Sequence, residues 1–103
     1  MQTTITSRRE DVSEELKAQA EAAVDRLGRR AVRPTSAHVT FDTAKTGARV
    51  EIVLNAARGA VYVAKADAAD HRTALDRALA KLQRQLEKVE ANPARSRRKA
   101  AAS

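Results

Sequence analysis

The sequence predicts an α+β fold: a two-layer sandwich in which a four-stranded sheet carries two helices on one face, in the order β-α-β-β-β-α. Three observations predict it. Residues 36–43, 48–55 and 60–66 alternate apolar and polar side chains, the two-residue period of a half-buried strand. Only AKTG and AARG separate these stretches, so they form an antiparallel meander. Two further segments repeat apolar residues every three or four positions, and each has a single apolar stripe, which obliges both helices to cover the same side of the sheet.

In chain order, residues 2–7 (QTTITS) are β-branched and short and form the first strand. Ser13 followed by Glu14 and Glu15 is an N-cap with acids in the first turn, where the helix dipole favours them. Leu16, Ala20, Ala23, Val24 and Leu27 keep helical spacing behind it. Arg29 and Arg30 suit the negative end of that helix. Gly28 is either its C-cap or part of its last turn, and Pro34 ends any continuation. In the meander, Ala37, Val39 and Phe41 alternate with His38, Thr40 and Asp42, and Val50, Ile52 and Leu54 oppose Arg49, Glu51 and Asn55. Tyr62, Ala64 and Ala66 share one face of the last strand, where small residues let a helix lie close. Asp67 or Asp70, in DAAD, caps a second helix that Asn92-Pro93 stops. About twenty-two helical residues span about 33 Å. The folded domain is residues 1–93; the remainder, 94–103 (ARSRRKAAAS), is basic, has no periodicity and reads as a disordered tail.

Composition narrows the function. The 103 residues suit one domain, and 20 Lys and Arg against 13 Asp and Glu give a formal charge of +7. That balance favours an acidic partner, nucleic acid before an anionic membrane surface. Ala supplies 23 of the apolar residues, so the core is thin and has no room for a deep substrate pocket. With no Cys, disulfides, thiolate nucleophiles and Cys-bound zinc are excluded. The start MQTTITSRRED has no apolar run of a secretory signal, no stretch approaches a spanning helix, and a cytoplasmic protein with no membrane partner is expected.

The second helix carries two stripes. Leu75, Leu79, Leu82, Leu86 and Val89 step by four, three, four and three; Arg77, Lys81, Arg84 and Lys88 step by four, three and four. At 100° per residue the basic stripe lies about 180–240° around from Leu75, pointing directly away from the core. A solvated helix face usually alternates charge signs, because opposite charges at i, i+4 stabilise and like charges destabilise. Here Arg77–Lys81, Lys81–Arg84 and Arg84–Lys88 are all like-charge neighbours. A polyanion would reverse that cost. Arg26, Arg29 and Arg30 on the first helix, with Arg8 and Arg9 in the first loop, would widen the surface for folded RNA.

These residues also resemble a family. The opening MQTTITSRREDVSEEL and the run DHRTALDRALAKLQRQLEK, 70–88, are similar to the ribosome hibernation promoting factor family, which includes the ribosome-associated inhibitor also called protein Y. Its pattern D-x-Y-x-A-I-(D/N)-x-x-(I/L)-x-K-L-x-R-Q-L-x-K is met at Asp70, Ala74, Leu75, Asp76, Lys81, Leu82, Arg84, Gln85, Leu86 and Lys88, and the likeness extends over about residues 1–92. The resemblance implies the β-α-β-β-β-α fold and a factor that silences translation. Such a factor would bind small-subunit rRNA near the decoding centre and occupy space needed by mRNA and tRNA. It implies rRNA phosphate contacts by Lys81, Arg84 and Lys88, with Arg26 and Arg29 at positions the family also makes basic. Arg77 joins them as part of the stripe. The family's usual Tyr is replaced by Arg72, expected to add a phosphate contact. Long members carry a further domain that pairs ribosomes; here a ten-residue basic tail follows residue 93, which is expected of a short form or of a truncated long one. The partner expected is the ribosome, bound by a monomer with no cofactor, metal or small-molecule substrate.

Three other readings compete. An enzyme is disfavoured: His38 and His71 have no nucleophile or acid at recognisable spacing, and Gly28, Gly47 and Gly59 make no phosphate loop. A double-stranded RNA-binding domain wants lysines where the second helix begins, and that start, DAADHR, is acidic. A structural module dimerising through the leucine stripe is possible in spacing, but the core needs the same leucines.

Overall fold

The computed structural model describes residues 1–8 and 12–91, with side chains of the last helix described as far as Lys88. The expected order is observed: β1 (Gln2–Ser7), α1 (Glu14–Gly28), β2 (Pro34–Ala44), β3 (Gly47–Ala56), β4 (Val61–Ala68) and α2 (His71–Ala91). The tail assigned to 94–103, Arg9 and the side chain of Val89 lie outside the described residues.

The four strands form one sheet in the order β1-β2-β3-β4. β1 is parallel to β2, as a β-α-β crossover requires, and β2, β3 and β4 are antiparallel neighbours, as their short connections require. The period-two pattern then sorts the side chains. Ala37, Val39 and Phe41 of β2, Val50, Ile52 and Leu54 of β3, and Ala64, Ala66 and Ala68 of β4 are buried under the helices. His38, Arg49, Glu51, Val63 and Lys65 belong to the other face.

α1 lies over β1 and β2, and α2 over β3 and β4. Ser13 caps α1, its Oγ accepting from the Leu16 N–H at 3.0 Å, and Gly28 is in the last turn. Ala20 and Val24 are fully buried on α1, and Leu82 and Leu86 on α2. Truncating a buried leucine of this kind costs about 2–5 kcal/mol. Leu75, Leu82 and Leu86 are consumed by the core, as the reading of the stripe as a core face expects.

The strands are longer than the alternation alone marked, and one difference has consequences. β4 continues to Ala68, which pairs with Ala48, so Asp67 is a strand residue and not a cap. Asp70 is the cap: its carboxylate accepts from the Thr73 N–H at 2.8 Å and the Thr73 hydroxyl at 3.1 Å. Gly47 opens β3 with φ of 129°, and a Cβ there would lie 2.5 Å from the Ala69 carbonyl, so this turn tolerates only glycine.

Candidate nucleic-acid interface

Ala74 and Ala78 of α2 are fully buried, and α2 packs on β4, whose buried residues are Ala64, Ala66 and Ala68. Two alanine-lined surfaces let the helix settle close over the strand. They also widen the buried arc of α2 toward its basic side, shifting its centre by about 30°. The stripe therefore does not point directly out, as the leucines alone implied. It leans over the free edge of β4.

There it meets main-chain carbonyls. The Arg77 guanidinium donates to Asp67 O at 3.0 Å, the Lys81 ammonium to Lys65 O at 2.7 Å, and the Gln85 amide to Val63 O at 2.7 Å. The spacing has a simple origin. Four helical residues rise about 6.0 Å, and two strand residues about 6.6 Å, so alternate carbonyls along β4 meet every fourth residue of the antiparallel α2. Gln85 was not singled out by charge; its signal is the i, i+4 row it completes with Arg77 and Lys81.

The other cations are differently placed. Arg84 reaches only Ala80 O of its own helix, at 3.5 Å. The side chains of Lys88, and of Arg26 and Arg29 at the end of α1, are exposed and make no hydrogen bond or ion pair among the described residues. Arg72 donates to the Gln19 amide oxygen at 3.1 Å, joining the two helices near their starts, and Arg30 meets Glu87 at 3.8 Å near their ends. The helices therefore run parallel. All seven candidates, Arg26, Arg29, Arg72, Arg77, Lys81, Arg84 and Lys88, remain exposed. Arg8, expected to widen the positive surface, instead lies 3.6 Å from Asp42.

At the helix-start end of the sheet the charges are paired. Arg49 contacts Asp67 through two bonds of 2.7 and 3.1 Å. That bond holds the Asp67 carboxyl below the ordinary carboxylate range and raises Arg49. The Thr73 backbone and hydroxyl bonds lower Asp70 in the same way. His71 hydrogen-bonds Asp42 O at 2.9 Å and stands edge-on to Phe41, while His38 lies 2.6 Å from the Thr6 hydroxyl. Both histidines thus have structural partners. Among the described residues no group of His, Asp and Glu could hold a metal ion, and no helix is long and apolar enough to cross a membrane.

Among the curated proteins none matches the chain. Two solved structures share the fold. The Thermus thermophilus Protein Y N-terminal domain is 24% identical with a TM-score of 0.70, the match covering 85% of this chain and 98% of that one. A ribosomal subunit interface protein from Coxiella burnetii is 23% identical with a TM-score of 0.72, covering 88% and 99%. The family described as sigma 54 modulation protein / S30EA ribosomal protein matches residues 3–92. With that match spanning the whole sheet and both helices, and with the resemblance to protein Y already carried by the K-L-x-R-Q-L-x-K run, the chain belongs to the sigma 54 modulation protein / S30EA ribosomal protein family.

Proposed function

We propose that the protein is a ribosome-associated hibernation factor that docks on small-subunit rRNA near the decoding centre and excludes mRNA and tRNA sterically. No bond is made or broken. The observation that carries this is the set of exposed cations without partners among the described residues, Lys88, Arg26 and Arg29, beside Arg84, on two parallel helices of a chain in this family. The likeness to a ribosomal subunit interface protein supports the ribosome as partner.

Roles divide by geometry. Arg84, Lys88, Arg26 and Arg29 meet phosphates directly. Arg77 and Lys81 keep N–H donors beyond those given to β4, so each can hold a phosphate oxygen while anchored to the strand. Arg72 sets the spacing of the helices and adds charge at their start. The protein acts as a monomer in the cytoplasm, without cofactor.

A sucrose-gradient profile of ribosomes with added protein tests this. The wild type should travel with the small subunit, and Arg84→Glu with Lys88→Glu should remain at the top of the gradient while keeping its helical circular dichroism. Wild-type co-sedimentation of a folded double variant would sink the proposal.

A further inference from the structure

Two arginines sit in backbone conformations that suit other residues better. The β3–β4 connection, residues 57–60, turns sharply: the Ala60 N–H donates to Ala57 O at 3.3 Å and the Ala56 N–H to Ala60 O at 2.9 Å. Both central residues are left-handed, Arg58 at φ 63°, ψ 32° and Gly59 at φ 74°. The left-handed region at Arg58 favours Asn, Asp or Gly. An arginine Cβ is strained there. Arg33 is left-handed too, at φ 49°, and it precedes Pro34, where extended backbone is preferred.

The two positions are adjacent in space. The Ala57 N–H donates to both Val32 O, at 3.2 Å, and Arg33 O, at 3.0 Å, strapping the α1–β2 loop to the hairpin turn. Both arginine side chains are exposed and make no hydrogen bond or ion pair among the described residues. Neither 29–35 (RRAVRPT) nor 56–60 (AARGA) contains an acid. The loop is continuous with Arg29 and Arg30, and Arg30 is tied to Glu87, next to Lys88. One basic surface therefore runs from the end of α2, past the end of α1, to the two strapped loops.

Unfavourable backbone geometry is kept where a side chain must be presented in one place. We infer that Arg33 and Arg58 form a second phosphate-binding element, gripping the RNA backbone at the end of the sheet and extending the contact beyond the helices. A planar guanidinium on a short strapped loop suits a phosphate, which accepts two parallel N–H bonds. The inference rests on the RNA-binding role proposed above.

Binding of labelled protein to purified small ribosomal subunits, titrated across salt, tests it. Arg58→Asn supplies a residue the turn favours, so its thermal midpoint should equal or exceed the wild type's. Its affinity should nevertheless fall, and the slope of log K against log salt should become shallower by about 0.7–0.9, with a similar loss for Arg33→Asn. Arg58→Lys, which keeps the charge and the strain, should bind more tightly than Arg58→Asn although it is the less stable of the two. Wild-type affinity and slope in the Asn variants, with binding lost in Arg84→Glu/Lys88→Glu, would overturn this inference alone. Wild-type binding in all of them would overturn the RNA-binding role as well.

Discussion

The two ends of the sheet use their charges in opposite ways. Where the helices begin, Asp70 caps α2, Asp67 binds Arg49, and Arg8 lies against Asp42. Where the helices finish, Arg30 meets Glu87, but the side chains of Arg26, Arg29, Arg33, Arg58 and Lys88 are exposed without partners among the described residues. A formal charge of +7 does not separate these cases. Internal pairing does: a cation already matched to an acid contributes to the fold, and one left in water is available to a partner.

Breaking the free end should have the largest effect. Arg84→Glu with Lys88→Glu removes two charge-assisted contacts worth about 1.5 kcal/mol or more each and replaces them with repulsions. Affinity for small subunits, measured by fluorescence anisotropy, should fall about 100-fold or more. The thermal midpoint should hardly move. The paired end should show the reverse. Ser13→Ala removes the α1 cap at a cost of about 1 kcal/mol, lowering the midpoint by about 4–8 °C in a domain of this size. Affinity at temperatures where the variant is folded should be that of the wild type.

Acid sharpens the same contrast. Asp67 and Asp70 titrate lower in the folded chain than in the unfolded one. Their stabilisation is therefore complete above the ordinary carboxylate value, about pH 4, and is lost as pH falls toward their folded-state values. Asp67→Asn and Asp70→Asn should each flatten that acid limb in a series of thermal melts. Arg58→Asn should leave its shape unchanged. The smallest effect belongs to the edge of β4. Lys81→Gln keeps a donor for Lys65 O and loses the charge, so stability should stay within about 0.5 kcal/mol. Its salt slope should nonetheless be shallower than the wild type's.

Much of the fold was legible because alternation and helical spacing depend on residue identity alone. Ala37, Val39 and Phe41, or Leu75, Leu82 and Leu86, mark a buried face whatever surrounds them. Asp67 and Asp70 could not be told apart, since both are good caps. The pairing of Ala68 with Ala48 decides between them. The basic stripe was legible as spacing, but its lean was not, because Ala74 and Ala78 carry too little apolar surface to mark the centre of a buried arc. Arg33 and Arg58 read as ordinary loop residues. Their interest lies in backbone angles, which only the surrounding hydrogen bonds specify.

The contacts between α2 and β4 behave as a vernier. Each step along the helix falls short of the matching step along the strand by about 0.6 Å, so the error over the three contacts is about 1.2 Å, within reach of flexible side chains. Four residues beyond Gln85 the sequence has a valine, which carries no side-chain donor, so the row ends at Gln85. The outward carbonyls of residues 63–67 are therefore occupied, and a foreign strand cannot add there without first displacing Arg77, Lys81 and Gln85. Of the two edges of this sheet, the one that carries the basic helix is protected from strand-by-strand aggregation by the same side chains that present its charge.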